Sequence, residues 1–302
     1  MKLLSTILTL LLGTACAHAA LFTNNVSIDA FVRSNAPTLN YGAAGSLTVS
    51  GTTATNGLGT VNGIADSFIR FNTAALVASL NSQFGPGNWV INGVALRVVE
   101  VGSPNNNIFT RGKGSFNAFW ISNDAWTEGT GMPMTPTSDG IAYSDEPPLL
   151  TNTVSLGTFT NAAANSTNSY SFALAPALTD DISAGGEVGL YLTAASPGIG
   201  FTFNSQNFTM ASQKPLVIIS AVQKPAAINI SQSGTDFIIS ATNGAVGQTY
   251  TLLTSTNLFS PLDQWTPVAT NLLDTGGDFS ITNPGTTGTA IPAAQFFILQ
   301  TH

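Results

Sequence analysis

The chain has 302 residues, of which 43% are hydrophobic and only 8% charged, and its formal net charge is −7. Its eight lysines and arginines are scattered, which argues against nucleic acid and against anionic membrane surfaces, since both require a basic footprint. One cysteine (Cys16) and two histidines (His18 and the terminal His302) leave no material for Ser-His-Asp triads, Cys-His pairs or His- and Cys-ligated metals.

The N-terminus carries Lys2, then an apolar run over Leu3–Leu12, then Ala17-His18-Ala19 with small residues at −3 and −1. This pattern predicts a signal peptide over residues 1–19 and an exported protein, secreted or held at the cell surface. The run is too short to span a bilayer. A lipid anchor on Cys16 fits less well, because Gly13 stands where an aliphatic residue is expected. The remaining chain has no cysteine, so its stability must come from a hydrophobic core and not from disulfides.

Short apolar or alternating runs broken by Gly, Asn and Pro predict strands throughout. In order these are Val26–Val32, Ser46–Val49, Asp66–Phe71, Val90–Val101, Ser115–Ile121, Val154–Thr158, Ser169–Leu174, Val188–Thr193, Phe201–Phe203 and Leu216–Val222. Within Val90–Val101, Val94, Leu96 and Val98 share one face, and Ala95, Arg97 and Val99 the other. Thr73–Phe84 alone shows helical periodicity, and Gly85-Pro86-Gly87 ends it. Long polar loops are expected at Gly51–Gly63, Gly102–Gly114 and Gly129–Pro148; loops of such length are functional or disordered. Residues 223–227 read as a linker. Beyond it, strands are predicted at Ile228–Gln232, Phe237–Ala241, Thr249–Ser255, Trp265–Asn271, Asp278–Thr282 and Gln295–Leu299, with turns at Asn243-Gly244 and Gly276-Gly277. The expected fold is all-β. A large antiparallel, jelly-roll-like sandwich over 20–222 precedes a small immunoglobulin- or fibronectin-like sandwich over 228–302.

Asp29-Ala30-Phe31-Val32-Arg33, Asn40-Tyr41-Gly42, Ser46-Leu47-Thr48-Val49, Ser67-Phe68-Ile69-Arg70-Phe71-Asn72, Asp124-Ala125-Trp126-Thr127-Glu128-Gly129-Thr130 and Lys214-Pro215-Leu216-Val217-Ile218 follow one another. In this order they resemble the DNRLRE (disaggregatase-related) domain, over about residues 22–222. Two departures stand out. Asn72 replaces a family carboxylate, and a Pro/Met-rich loop follows the Trp-Thr-Glu motif. The resemblance implies a β-sandwich of secreted and cell-surface proteins, some of which bind uronic-acid polysaccharides such as alginate. The C-terminal part resembles a short β-module found at the end of many secreted bacterial proteins.

Sugar binding needs aromatic faces and planar hydrogen-bonding groups on a rigid sheet. The candidates are Arg97, Arg111, Lys113, Trp120, Trp126, Tyr143 and Asn117, with Asn40, Tyr41, Asn123, Arg33 and Arg70 behind them. Arginine suits an acidic glycan because it grips a carboxylate through two parallel bonds. Against this, Trp126 is of a kind that more often packs a core, and Arg33 and Arg70 can equally form structural ion pairs with Asp29 or Asp66. Calcium is a possible cofactor through oxygen ligands alone, with Asp139, Asp145 and Glu146 the leading set and Asp180-Asp181 and Asp274/Asp278 the others. Plain turn chemistry accounts for the same residues. No other cofactor is required. Four glutamates, among them Glu128 beside the Trp126-Thr127 pair, offer little for a glycosidase. The expected function is therefore non-catalytic polysaccharide binding or surface adhesion. The alternatives are a structural matrix or envelope role and, less favoured, a carboxylate-dependent glycan-active enzyme.

Overall fold

The computed structural model describes residues 20–56, 59–101, 114–161, 166–224, 227–233, 236–242, 249–272, 278–283 and 295–301. The expected signal peptide, both predicted glycine turns near 243 and 276, and the centre of the expected linker lie outside them. The chain divides into two compact units. The larger comprises Leu21–Ala78 and Ile91–Ser220; the smaller comprises Ser79–Val90 and the chain from Ala221 onward.

The chain runs first through β1 (Ala20–Asn25), β2 (Ile28–Arg33), β3 (Ser46–Ser50), β4 (Ala65–Asn72), α1 (Ala74–Phe84), β5 (Trp89–Val99) and β6 (Gly114–Ile121). It continues through α2 (Glu146–Leu149), β7 (Thr153–Asn161), β8 (Thr167–Ser171), α3 (Pro176–Ala184), β9 (Glu187–Ala194), β10 (Gly200–Asn204) and β11 (Leu216–Gln223). A four-stranded sheet has the order β1-β11-β5-β8, and a seven-stranded one the order β10-β3-β4-β9-β6-β7, with β2 also paired to β4. The predicted strands are present with boundaries moved by a few residues, and α1 lies where the periodicity placed it.

The alternation read in β5 explains the packing. Val94, Leu96 and Val98 are buried, whereas Ala95 and Arg97 are half-buried on the opposite face. Leu47, Val49, Ile69, Phe71, Leu190 and Leu192 of the seven-stranded sheet are buried too. Phe116 of β6 meets Tyr170 of β8 edge-to-face at 5.0 Å, so side chains of the two sheets interdigitate. Phe201 and Phe203 each stand 5.7 Å from Phe116. Edge-to-face aromatic pairs of this kind add about 0.5–1.5 kcal/mol each beyond area burial. The sandwich is the expected all-β one.

The other face of the seven-stranded sheet is also covered. Ala30, Val32, Phe68, Ile121 and Tyr191 form a second cluster with Trp126, Ile141 and Leu149, which come from the segment between β6 and β7. That segment is a folded cap, not an open loop.

The smaller unit holds β12 (Ala227–Ser233), β13 (Asp236–Thr242), β14 (Thr249–Ser255), β15 (Thr266–Leu272), β16 (Phe279–Asn283) and β17 (Phe296–Thr301). Two three-stranded sheets, β12-β13-β16 and β15-β14-β17, share a core of Ile239, Leu252 and Phe297. Trp265 ends a 3-10 turn just before β15, and its indole donates to the Ser260 carbonyl at 2.9 Å.

Candidate functional site

The outward face of the four-stranded sheet carries an open groove of about 370 Å³. This is at the small end of the roughly 300–1,000 Å³ of small-molecule sites. Leu21, Asn92, Gly93, Ser171, Ile218 and Ser220 contribute to its lining. Gly93 keeps the floor open, because a Cβ there would stand 2.5 Å from Ser220 Oγ. Ser220 Oγ donates to Asn92 Oδ1 at 2.7 Å, which leaves the Asn92 amide N–H groups as donors. Leu21 is exposed and Leu174 partly so, giving the groove an apolar rim. The adjacent aromatic, Phe172, is buried and presents no stacking face.

Arg97 lies two residues along β5 from Ala95, one of the groove residues, on the same face and therefore about 6.6 Å away along the strand. It pairs with Ser169 in the β5–β8 ladder. Among the described residues its guanidinium has no ion pair, and its Nε is shielded from water without an acceptor. An arginine so placed retains its two terminal Nη groups as donors for a carboxylate.

The other candidates do not join it. Arg111 and Lys113 lie outside the described residues. Trp120, Trp126, Tyr143 and Asn117 belong to the seven-stranded sheet or its cap. Trp126 is buried, 5.9 Å from Phe68 in a T-shaped contact and 5.4 Å beneath the Arg70 guanidinium, so its indole is packed inside the protein. The stacking role expected for it is thus corrected to a packing role. Trp120 is half-buried and donates from Nε1 to Asp181 Oδ2 at 2.8 Å. Replacing Trp120 with Phe should cost about 1 kcal/mol through that bond alone, read as a small fall in urea midpoint. Asn117 accepts from Thr158 Oγ1 at 2.7 Å on the outer surface of β6–β7. Asn40, a secondary sugar candidate, is fully buried and serves the fold.

The predicted oxygen cluster is separated as well. Asp139 is exposed and binds its own loop through Thr130 N at 3.0 Å, Thr130 Oγ1 at 2.6 Å and Thr137 Oγ1 at 2.5 Å. Those bonds from the two threonines hold its carboxyl down to about 2. Asp145 Oδ2 accepts from Ala142 N at 2.9 Å, a turn-capping role. Glu146 is buried and faces Asp66 of β4. No set of three or more Asp, Glu, His or Cys arranged for a metal is present among the described residues. Asp274 lies outside them.

Burial raises the Glu146 carboxyl to about 8, with the charge of Asp66 adding to the effect. Burial likewise raises Asp66 to about 6, opposed by hydrogen bonds from Thr193 and Tyr191. Tyr143 packs against the cap cluster, and its hydroxyl is raised by burial and by Glu146. Asp66 appears in the sequence only as a possible ion-pair partner of an arginine, but Arg70 pairs with Glu187 at 3.3 Å.

Glu128, the candidate catalytic acid, is tied down. Its Oε1 accepts from Gln206 Nε2 at 2.6 Å, Asn207 Nδ2 at 2.8 Å and Asp29 N at 3.3 Å. A carboxylate held by three donors pins the cap to β2 and to the turn after β10.

No family model matches the chain, and no curated protein matches it. The chain is similar to solved β-glucuronidases only at very low scores. The Dictyoglomus thermophilum enzyme has a TM-score of 0.27 and 6% identity, covering 97% of this chain and 45% of that one. A Ruminococcus gnavus enzyme has 0.24 and 6%, covering 97% and 44%. The Lactobacillus rhamnosus enzyme has 0.21 and 10%, covering 98% and 46%. This chain spans less than half the length of these enzymes, and likenesses at such scores assign neither relationship nor activity.

Proposed function

We propose that the protein is an exported, non-catalytic binding protein, secreted or held at the cell surface, whose large sandwich engages an acidic polysaccharide on the outward face of the four-stranded sheet. The observation that carries this reading is Arg97, an arginine without an ion pair among the described residues, standing next to a groove of amide and hydroxyl groups. A uronic-acid carboxylate supplies what the guanidinium lacks, and ring hydroxyls suit Asn92, Ser171 and Ser220. The low charge of the rest of the chain limits non-specific attraction, so binding would rest on directed hydrogen bonds. The engagement of Glu128 by three donors supports a non-catalytic role.

The test is affinity electrophoresis of residues 20–302 through gels containing alginate, pectin, xylan or cellulose. Retardation by an acidic polysaccharide is expected, with Arg97→Ala abolishing it and Arg97→Lys restoring it in part, because an ammonium ion cannot form the two parallel bonds. Unchanged mobility of the wild type in every gel would overturn the reading and leave a structural matrix role as the leading one. Equal retardation of wild type and Arg97→Ala would remove the site from this face.

A further inference from the structure

The groove on the four-stranded sheet is more apolar than a ligand made only of ring hydroxyls requires. Leu21 is 70% exposed and Leu174 42% exposed, and both line it together with Ile218. Hydroxyls set against these side chains would give up water and gain no hydrogen bond. At Gly93 the absent Cβ lets Ser220 Oγ lie close over β5, 2.5 Å from where that carbon would stand. From there Ser220 donates to Asn92 Oδ1 at 2.7 Å, which fixes the direction of the Asn92 amide. Its oxygen is taken, and its two N–H groups donate to no other group among the described residues. The groove thus joins an amide with donors to spare to an apolar wall. An acetyl group matches both, with a carbonyl that only accepts and a methyl that gains from burial. Arg97 lies four residues from Gly93 on the same face, about 13 Å along the strand. Ser169 and Ser171 of β8 stand beside Arg97 and Ala95 in the ladder. A face of that length admits a carboxylate at one end and an acetyl group at the other, on neighbouring sugars of one chain.

We propose, resting on the reading of this face as a glycan site, that the groove is an acetyl subsite and that the ligand is an acetylated acidic polysaccharide. Arg97 takes the carboxylate, Asn92 Nδ2 donates to the acetyl carbonyl, and Leu21, Leu174 and Ile218 cover the methyl. These contacts are the same whether the acetyl group is linked to the sugar through oxygen or through nitrogen. Acetylation is then the feature by which the protein selects among acidic glycans.

The experiment is affinity electrophoresis of residues 20–302 through O-acetylated alginate, the same alginate deacetylated by mild alkali, and hyaluronan, in which uronate alternates with an N-acetylated sugar. The two alginates carry the same carboxylates, so their difference reads the acetyl group alone. An acetylated polymer is expected to bind about tenfold more tightly than deacetylated alginate, from one buried methyl and one hydrogen bond. A preference for O-acetylated alginate assigns an ester-linked acetyl group. A preference for hyaluronan that Leu21→Ser removes, with the two alginates equal, assigns an amide-linked one. Leu21→Ser, at an exposed position, and Asn92→Ala should each bring the dissociation constants of acetylated and deacetylated polymer together. Equal or weaker retention by both acetylated polymers would overturn the subsite and leave the acidic-glycan reading standing. No retention in any gel would overturn both. A preference for acetylated polymer that both variants keep would place the acetyl group elsewhere on the chain and would overturn the subsite as well.

Discussion

Replacing Asn40 by Ala is expected to destabilise the large unit by about 3–6 kcal/mol, a large share of the 5–15 kcal/mol typical of a whole domain. Asn40 is fully buried, and both donors and both lone pairs of its amide are engaged, three of the four by the cap. Nδ2 donates to the Glu128 carbonyl at 2.7 Å and to the Ile141 carbonyl at 2.9 Å. Oδ1 accepts from Gly42 N at 3.0 Å and Gly131 N at 3.1 Å. Its backbone N–H donates to the Thr137 carbonyl at 2.7 Å. One side chain therefore joins both ends of the cap to the turn before β3. The backbone segments it joins approach one another closely. A Cβ at Gly42 would collide with the Glu128 carbonyl, and one at Gly131 with the Asn40 carbonyl. Truncation to Ala strands two carbonyls and two amide N–H groups, which a single water in the vacated space can serve only in part. Each unsatisfied group costs about 1–3 kcal/mol before relaxation. Urea unfolding measures the loss. Asn40→Asp should also be destabilising, because an ionised carboxylate would face the two carbonyls that the amide now serves. A midpoint within error of wild type for Asn40→Ala would show that the cap is not held in this way.

The strands were legible because their apolar residues alternate over short runs between Gly, Asn and Pro. The β5 face of Val94, Leu96 and Val98 is the clearest case. Three elements were not legible, for different reasons. In β1, Leu21, Thr23 and Asn25 are exposed, so it shows no apolar stripe. Helix α3 buries only Leu178 and Ile182, one turn apart, too few to establish a period. Its available signals were Pro176 at the start and Gly185, with φ of 77°, at the end. The cap has no period at all. Trp126, Ile141 and Leu149 reach one cluster by an irregular path that is fixed by hydrogen bonds to Asn40, far away in the chain. Composition marks such a segment as a loop, and only the tertiary contacts show that it is packed. The functional candidates suffered from the same blindness. Residue type put Arg97 forward as a glycan ligand and Glu146 as a calcium ligand in so weakly charged a chain. Their company depends on which strands pair, so Arg97 was grouped with tryptophans on the other sheet, and Glu146 with Asp139 and Asp145 in place of Asp66. Adjacency in sequence misled most at Asp145-Glu146, where one side chain caps a turn and the next is buried against the sheet.

The protein's stability in chelator should fall as pH rises from about 5 to about 8.5, the reverse of ordinary acid denaturation, by about 3–5 kcal/mol. Three carboxyls set the sign. Burial raises Asp29 to about 8, against a bond from Gln206 N at 2.7 Å and with Glu128 adding to the rise and Lys214 opposing it. Asp66 rises to about 6 and Glu146 to about 8. In the unfolded chain these groups titrate near 4. Between about 4 and 8 the folded state therefore binds more protons than the unfolded one, and the slope of stability with pH is negative there. The contribution is fully present below about pH 4 and is lost as pH passes through 6 for Asp66 and 8 for Asp29 and Glu146. Asp139 has the opposite sign, but with its carboxyl held near 2 it titrates below this window. The expected loss is smaller than the sum of three independent shifts, because the Asp66–Glu146 pair can open locally and admit water once both are charged. Thermal unfolding at pH 5, 7 and 8.5 reads the trend. Glu146→Gln and Asp66→Asn should each flatten it, since an amide keeps the shape without the titration, leaving Asp29 to supply what slope remains. An unfolding temperature that holds steady or climbs from pH 5 to 8.5 would mean that the carboxyls ionise in the folded protein without penalty, and that the cap does not shield them.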